Sequence, residues 1–355
     1  MKVVTVIGNR PQFVKAAAVC GPLRAAHEEV LVHTGQHYDD KLSTIFVEEL
    51  GVPRPDLELG LGGGTNSDQT ARMLGALGEL LRAEQPDAVL VYGDTNSTLA
   101  GALAAAQARV PLAHVEAGMR SFDRAMPEEL NRVLTDHMAD LLLAPSDGAA
   151  ANLAREGVAG HVEVVGDVMV DVAQMVAPRG RADAATLDDA GVRAGEYVLA
   201  TTHRAGTVDD PARLRRLVDL LLGLGPPVVL PLHPRTRARL REAGLMARLQ
   251  AGVNVCPPLG YIAFTSLLIR ARAVVTDSGG VQKEAYLAGV PCVTLRDTTE
   301  WVETVQTGWN TLVDLDADAA RSALEQRAPA ARPQLYGDGH AGERVAAAVA
   351  RLLPQ

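Results

Sequence analysis

Aromatic residues, cysteines and long apolar runs are all scarce in this chain. Its 355 residues include 3% Phe, Trp and Tyr and three cysteines, Cys20, Cys256 and Cys292. An odd number of widely spaced cysteines argues against a disulfide scaffold and against a Cys-based metal site. No stretch approaches the roughly 20 apolar residues that span a bilayer, and MKVVTVIG is typical of a first strand rather than of a signal peptide. We therefore expect a cytoplasmic protein without membrane contact or bound metal.

Basic residues are outnumbered, and the common nucleotide-binding motifs are missing. The chain has 34 Lys and Arg against 43 Asp and Glu, a formal net charge of -9, which argues against nucleic acid as a partner. GLGGGTNS lacks the G-x-G-x-x-G spacing of nicotinamide sites, and there is no phosphate loop of the G-x-x-x-x-G-K type. The spacing of a zinc protease and the serine elbow of an esterase are also absent. The sequence therefore predicts no cofactor.

Short apolar runs alternate with longer helical patterns along the chain. Such continuous runs are typical of strands buried on both faces, and the alternation predicts an α/β fold with doubly wound parallel sheets. The rhythm pauses over residues 178–196 and then restarts. We therefore expect two Rossmann-like domains, residues 1–167 and 168–355, with ligand bound in the cleft between them. The final helical segment, AGERVAAAVARLLPQ, fits packing on either domain. The strands are predicted at KVVTVIG, EEVLVHTG, DAVLVYGD, VPLAHVEAG, ADLLLAPS, HVEVVGD, EYVLATTHR, PPVVLPLHP, VNVCPPLG, ARAVVTDSG and VPCVTLRD.

The segment TDSGGVQKEA follows one of the predicted buried strands and opens a helix. This places Ser278, Gly279 and Gly280 at a helix N-terminus, where N–H groups and the helix dipole attract an anion. An ordinary capped turn would use the same residue types, so the segment alone leaves both interpretations open. Glu284 lies farther along the helix, where it either reaches a ribose or remains a solvated side chain.

Three carboxylates follow predicted strands of the first domain or open a helix there. They are Asp94 in VYGDTNST, Glu116 in HVEAGMRS and Glu128 in MPEELNR. Asp94 and Glu128 have ordinary roles open to them at helix starts. Glu116 lies between a buried strand and a glycine turn, where an unpaired charge would be costly. Clustered carboxylates raise one pKa and make proton transfer feasible at neutral pH.

Basic side chains also follow predicted strands. Arg10 and Lys15, in GNRPQFVK, lie near the start of a helix, either as anion contacts or as surface charges. His203 and Arg204, in ATTHRAG, and His233, in LPLHPRT, end strands of the second domain. A histidine and an arginine facing carboxylates across a crevice would suit acid–base work with phosphate stabilisation.

Taken together, these motifs resemble the non-hydrolysing UDP-N-acetylglucosamine 2-epimerase family. The resemblance extends from GNRPQFVK through TGQHYDD, VYGDTNSTLAG, HVEAGMRSFD, MPEELNRVLTDH, TTHR, LHPRT and TDSGGVQKEA to LRDTTEWVE. It implies a two-domain fold like that of the GT-B glycosyltransferases, a UDP-sugar ligand and a homodimer. It also implies inversion of C2 of an N-acetylhexosamine, by elimination of UDP to a 2-acetamidoglucal and re-addition.

The resemblance also assigns roles to the residues named above and adds Phe264, in GYIAFTSLL, against the uracil or in the core. It leaves open which carboxylate serves which face of C2. The implied catalytic residues are Asp94, Glu116, Glu128 and His203, and the implied substrate contacts are Arg10, Lys15, Arg204, His233, Phe264, Ser278, Gly279, Gly280 and Glu284.

Three departures from the family pattern bear on regulation and on the sugar. In one of them, the helix after TTHR begins AGTVDD, where the family often has an acidic residue and Asn. YDDKLS ends at Ser43, near where members activated by UDP-N-acetylglucosamine carry a further Gln, which argues against such activation. LRDTTEWVETVQTGWN, with Trp301, Trp309 and Asn310, resembles the branch that acts on UDP-2,3-diacetamido-2,3-dideoxyglucuronate. UDP-N-acetylglucosamine is the first substrate expected, and this uronate is the second. A hydrolysing epimerase, a GT-B glycosyltransferase and a UDP-sugar sensor remain as further alternatives, and the product would serve polysaccharide or natural-product synthesis.

Overall fold

The computed structural model describes residues 1–36 and 48–352 and divides the chain into two compact units. The first unit comprises residues 1–174 and 334–355, and the second comprises residues 175–333. The expected division at residue 167 thus lies seven residues before the observed one, and residues 334–355 belong to the first unit. Ser43 lies outside the described residues.

The described part of the first unit contains a seven-stranded parallel sheet in the order β3-β2-β1-β4-β5-β6-β7. Strands β4, β5 and β6 are buried at every position, as expected for a sheet covered by helices on both faces. The two-residue strand β3 was not predicted. The strands are β1 (Lys2–Ile7), β2 (Glu28–His33), β3 (Leu57–Glu58), β4 (Ala88–Tyr92), β5 (Leu112–Val115), β6 (Leu141–Ala144) and β7 (His161–Val164).

Helices of the first unit follow these strands, and several begin with a side-chain cap. Thr65 and Thr95 each accept a hydrogen bond from the third helical N–H, which satisfies donors that the helix leaves unpaired. The helices are α1 (Arg10–Ala26), α2 (Asn66–Glu84), α3 (Asn96–Ala108), α4 (Pro127–Met138), α5 (Asp147–Glu156) and α6 (Val168–Ala182), within which the two units divide.

The second unit contains a six-stranded parallel sheet in the order β10-β9-β8-β11-β12-β13. The short last strand was not predicted. The strands are β8 (Val198–Thr201), β9 (Val228–Pro231), β10 (Asn254–Cys256), β11 (Ala273–Thr276), β12 (Cys292–Thr294) and β13 (Asn310–Leu312). The helices are α7 (Ala185–Asp189), α8 (Ala205–Val208), α9 (Pro211–Leu222), α10 (Pro234–Glu242), α11 (Met246–Gln250), α12 (Tyr261–Arg270), α13 (Gly279–Ala288), α14 (Val302–Gln306) and α15 (Ala317–Glu325).

Both sheets confirm the predicted fold class of two doubly wound parallel α/β domains. In each sheet the strand order reverses once, between β1 and β4 in the first and between β8 and β11 in the second. Ligands of such sheets bind outside the carboxyl ends of the strands at this switch point. None of the helices in the described ranges combines the length and apolar character needed to cross a membrane.

The final helix, α16 (Ala341–Val349), packs on α1 within the first unit. A Cβ placed on Gly342 would lie 2.0 Å from the carbonyl oxygen of Ala18, so the two helices approach too closely for any side chain there. The buried carboxylate of Asp171 accepts hydrogen bonds from the N–H groups of Ala341 (3.2 Å) and Gly342 (2.8 Å). A buried acid on α6 therefore caps α16 and ties it to α6, while Gly342 lets α16 approach α1.

We expect Gly342→Ala to lower the free energy of unfolding by about 1–3 kcal/mol, because the methyl group forces α16 away from α1. Urea unfolding followed by circular dichroism would measure this change. Gly75→Ala is the matched control: Gly75 lies inside α2, and a Cβ there meets no atom within 4 Å. The same substitution should there stabilise the protein by about 0.5–1 kcal/mol. Equal effects at both positions would contradict the close contact of α16 with α1.

Candidate functional site

The carboxyl end of β1 is fixed to the end of β4 at the switch point of the first sheet. A Cβ on Gly8 would lie 1.9 Å from the hydroxyl oxygen of Ser97, so only glycine fits there. Gln12 accepts a hydrogen bond from the N–H of Gly8 (2.7 Å) and donates to the carbonyl of Tyr92 (2.8 Å). The start of α1, which carries the half-buried Arg10, is thereby held beside the turn that follows β4.

Lys15 and Glu116, both predicted site residues, form an ion pair at this edge. Their side chains are 12% and 11% exposed, so water screens the pair only weakly. Glu116 has φ of +71°, a left-handed conformation that costs a side-chain-bearing residue energy. A Cβ on Gly93 would lie 3.0 Å from the Lys15 ammonium and 3.2 Å from the Glu116 carboxylate. The turn after β4 therefore lies directly against the pair.

Asp94 is bound by Arg132, which sequence reasoning missed. The guanidinium of Arg132 pairs with Asp94 through Nη2 and with Glu129 through Nη1, the latter at 2.8 Å. Arg132 is buried, whereas about a third of the Asp94 side chain is exposed. A predicted proton-transfer group is thus oriented by a buried cation and still reaches solvent.

Glu128 and its neighbour Glu129 point in different directions from the first turn of α4. Glu128 is exposed, whereas Glu129 is buried. Glu129 accepts hydrogen bonds from the N–H (2.9 Å) and hydroxyl (2.9 Å) of Ser121 and from the N–H of Phe122 (3.0 Å). Glu129 therefore holds the loop before α4, and of the two acids only Glu128 is open to solvent. Glu129, Arg132 and Asp136 are three and four residues apart along α4 and therefore lie on one face of the helix. This spacing is the sequence signal that marks the inward face.

His114 and Asp136 form a second buried pair that the sequence analysis did not identify. His114, on β5, lies with Nδ1 2.7 Å from an oxygen of Asp136 and Nε2 2.7 Å from the carbonyl of Gly93. The other oxygen of Asp136 accepts from the N–H of Gly118 (3.0 Å) and pairs with Arg120 (2.7 Å). Burial by itself would raise the pKa of Asp136, but His114 and Arg120 together outweigh it and hold that pKa below its ordinary value.

In the second unit, Asp277 supports the turn that carries His203 and Arg204. The carboxylate of Asp277 is fully buried. It accepts hydrogen bonds from the N–H groups of His203 (3.1 Å) and Arg204 (3.0 Å). Ser278, the N-cap of α13, makes no side-chain capping hydrogen bond. The acidic residue of the DSGG segment thus holds the neighbouring strand end rather than capping its own helix.

The N-terminus of α13 holds a negative charge between two arginines. A Cβ on Gly279 would lie 2.1 Å from a carboxylate oxygen of Glu300. Glu300 accepts a hydrogen bond from Arg296 (2.9 Å) and lies 4.0 Å from Arg204. A helix N-terminus favours negative charge, and this one accommodates a carboxylate beside Gly279 and the exposed Gly280.

The remaining predicted contacts of the second unit occupy three different environments. His233 is exposed and caps α10 by accepting from the N–H of Arg235 (3.2 Å), and its ring centre lies 5.5 Å from that of His203. Phe264 is only 8% exposed and belongs to the hydrophobic core. Glu284 is half-buried and accepts from the hydroxyl of Tyr261 (3.1 Å).

Two doubly wound domains with a glycine turn at a switch point are typical of nucleotide-binding proteins. A profile of the UDP-N-acetylglucosamine 2-epimerase family matches residues 23–350. The UDP-2,3-diacetamido-2,3-dideoxy-D-glucuronate 2-epimerase of Pseudomonas aeruginosa is 47% identical over 364 residues, which cover 99% of this chain and 100% of that protein. The crystal structure of Methanocaldococcus jannaschii UDP-GlcNAc 2-epimerase in complex with UDP-GlcNAc and UDP is 38% identical with a TM-score of 0.92, and the alignment covers 99% of each chain.

The corresponding enzyme from Neisseria meningitidis, bound to UDP-GlcNAc, is 26% identical with a TM-score of 0.88 and matches 99% of this chain and 100% of that one. The chain belongs to the UDP-N-acetylglucosamine 2-epimerase family and is an epimerase. The resemblance drawn from the sequence motifs is confirmed.

The lowered pKa of Asp136 predicts how its contribution to stability varies with pH. This contribution is complete above the ordinary carboxyl pKa of 3.8 and is lost as the pH falls through the lower folded-state value. The difference in melting temperature between wild type and Asp136→Asn should therefore shrink as the pH falls below about 4. Calorimetry across this range would measure it.

Tyr92→Phe is the control for this measurement, because burial raises the pKa of Tyr92 well above 10 and the phenol stays neutral throughout. Its difference from wild type should not vary with pH. An Asp136→Asn difference that is equally flat would show that the Asp136 pKa is not lowered on folding.

Proposed function

We propose that the protein inverts C2 of the sugar of UDP-N-acetylglucosamine, giving UDP-N-acetylmannosamine. The observation that carries this proposal is the Glu116 turn. The backbone of Glu116 has a costly left-handed conformation, and its weakly exposed carboxylate is paired with Lys15. Such strain concentrates at functional sites. Membership of the epimerase family gives the reaction class in which a carboxylate of this kind has a role.

The reaction needs proton transfer at C2 and departure of UDP from C1. A carboxylate takes the C2 proton, the C1–O bond breaks with its electron pair on UDP, and a 2-acetamidoglucal remains. UDP then adds back to C1 while C2 receives a proton on the opposite face. Asp94, Glu116 and Glu128 are the proposed proton-transfer groups. Arg132 orients Asp94, and the exposed Glu128 is accessible to a substrate.

The second unit carries the proposed contacts to the UDP part. The N-terminus of α13, opened by Ser278, Gly279 and Gly280, is the proposed diphosphate contact, because Ser278 leaves its hydroxyl uncommitted to capping and Gly280 is exposed with no side chain to obstruct an anion. His203 and Arg204, positioned by Asp277, supply a donor and a cation for the charge that develops on the leaving group. Glu284 is the proposed ribose contact. Arg10, Lys15, His233 and Phe264 remain proposed substrate contacts.

A second candidate substrate is UDP-2,3-diacetamido-2,3-dideoxyglucuronate. It is favoured by the 47% identity to the Pseudomonas aeruginosa enzyme that bears this sugar in its name. Its additional carboxylate at C6 needs a cation. Arg296 is 7% exposed, and its Nη2 has no hydrogen-bond partner in the part of the chain that the structure describes. A buried guanidinium with an unused donor is suited to a further carboxylate.

The setting of the enzyme follows from the same proposal. UDP-sugars of this type feed polysaccharide or natural-product synthesis in the cytoplasm, where we place the protein. We propose that it works as a homodimer, as its family resemblance implies, and sedimentation of the purified protein tests that assembly.

We expect Asp94→Asn, Glu116→Gln and Glu128→Gln each to lower turnover by at least about two orders of magnitude, the usual contribution of acid–base catalysis. UDP affinity, measured by calorimetry, should change much less, because the contacts proposed for the UDP part belong to the second unit and these three carboxylates to the first. Glu129→Gln is the matched control at α4. Glu129→Gln removes a buried ion-pair partner of Arg132 and should lower the melting temperature. Glu128→Gln changes an exposed side chain and should leave the melting temperature near the wild-type value. Near-normal turnover in all three variants would reject the acid–base assignment.

Proton NMR in D2O should distinguish the two substrates. With UDP-N-acetylglucosamine and no added nicotinamide or metal, we expect a new anomeric signal and deuterium at C2 of substrate and product. The same experiment with the diacetamido-uronate, followed over time, gives kcat/KM for that sugar, and the two values give their ratio. Exchange with the uronate alone would assign that substrate instead. Release of free N-acetylmannosamine would identify a hydrolysing enzyme, and no exchange with either sugar would reject the epimerase proposal.

A further inference from the structure

The buried ring of His114 faces a hydrogen-bond acceptor at each of its two nitrogens. Nδ1 lies 2.7 Å from a carboxylate oxygen of Asp136, and Nε2 lies 2.7 Å from the carbonyl oxygen of Gly93. The side chain is fully buried, so water does not replace either partner. A neutral imidazole has one N–H and would turn a lone pair toward one of these oxygens. Both short contacts are hydrogen bonds only if both nitrogens carry protons, or if Asp136 supplies one.

The surroundings of Asp136 show which group holds the proton. Its second oxygen accepts from the N–H of Gly118 and pairs with Arg120. A carboxylate oxygen that faces a peptide N–H and a guanidinium is stabilised in its ionised form. The pKa of Asp136 is accordingly below its ordinary value despite burial. Two acceptors facing the ring of His114 and two donors facing the second oxygen of Asp136 are the arrangement that suits an imidazolium paired with a carboxylate.

This network of three buried ions and the partly exposed Glu156 is balanced in charge. Arg120 also makes two hydrogen bonds to the carboxylate of Glu156, at 2.8 and 2.7 Å. The two cations, His114 and Arg120, are thus matched by the two anions, Asp136 and Glu156. Buried ions are costly unless they are paired and hydrogen-bonded, and each ion here meets that condition. Such a network adds little net stability compared with apolar side chains of the same size, so its geometry requires another explanation.

The hydrogen bonds of the network reach both sides of the Glu116 turn. His114 holds the carbonyl of Gly93, whose Cα lies against the Lys15–Glu116 pair. Asp136 holds the N–H of Gly118, two residues after Glu116. Gly118 itself has φ of +81°, and a Cβ there would lie 2.3 Å from the carbonyl oxygen of Ala149, so the turn cannot shift toward α5.

We propose that the His114–Asp136 ion pair is a positioning device that holds Glu116 in its left-handed conformation for proton transfer. The inference rests on the proposed function, in which Glu116 exchanges a proton with the substrate. His114 and Asp136 act through the peptide groups of Gly93 and Gly118 and do not touch the substrate. The second proton on His114 is essential, because a neutral ring would release one of its two partners.

Two neutral substitutions of His114 separate its two hydrogen bonds. His114→Gln places an amide near the position of Nε2 and keeps a donor for Gly93, whereas His114→Asn places one near Nδ1 and keeps a donor for Asp136. We expect each to lower kcat by roughly ten- to a hundredfold, because small displacements of a catalytic group have effects of this size. KM should change by less than about threefold, because binding of the substrate is unaffected.

A double-mutant cycle with Glu116→Gln distinguishes positioning from general destabilisation. If His114 acts through Glu116, His114→Asn should lower kcat no further once Glu116 is replaced. Leu77→Ala, a buried position on α2, is the control for lost stability, and its effect on kcat should be small and should multiply with that of Glu116→Gln. Multiplicative losses for His114→Asn, or full activity in both His114 variants, would overturn the proposal while leaving the epimerase function standing.

Nitrogen-15 NMR of histidine-labelled protein tests the protonation state independently of activity. The resonances of His114, assigned by their loss in His114→Asn, should show protons on both ring nitrogens in the wild type and on one in Asp136→Asn. A singly protonated wild-type ring would refute the ion pair. A wild-type enzyme that epimerises no sugar would reject the proposed function, and the ring measurement would still decide whether the ion pair exists.

Discussion

In each unit a fully buried aspartate organises the edge of the sheet that carries the proposed site residues. Asp136 binds the ring of His114, the guanidinium of Arg120 and a peptide N–H, and Asp277 binds the peptide N–H groups of His203 and Arg204. Each carboxylate is stable without water only because donors surround it. The turns that supply those donors are therefore fixed by the requirement to satisfy a buried charge. Two of the residues proposed for catalysis, Glu116 and His203, lie on these turns.

The sequence identified the fold because buried parallel strands leave a clear pattern of apolar runs. Strand β3 was missed because its two exposed residues form no apolar run, and β13 was missed because two of its three residues, Asn310 and Thr311, are polar. The position of α16 was left open, since its small apolar residues suit either unit until Gly342 is seen against Ala18. Glu128 and Glu129 occupy the same helical turn. Only the direction of the inward face of α4 distinguishes the buried acid, Glu129, from the exposed acid, Glu128.

The site also shows why polar networks are difficult to predict from one sequence. His114 lies in an apolar strand, where a histidine is usually only a buried side chain, and its partner Asp136 is 22 residues away on a helix. Glu116 and Phe122 both have left-handed backbones, each costing about 1–3 kcal/mol. The residue types alone do not predict this strain. The loops impose it, and hydrogen bonds such as those of Glu129 compensate for it.

The contact of α16 with α1 has a consequence for the order in which the chain folds during synthesis. His27, just after α1, donates a hydrogen bond from Nε2 to the carbonyl oxygen of Ala346, 319 residues later in the sequence. The whole of the second unit is therefore translated before α16, which packs on one face of α1, is synthesised. Domains usually fold in the order in which they emerge from the ribosome, but here the unit that begins first is completed last.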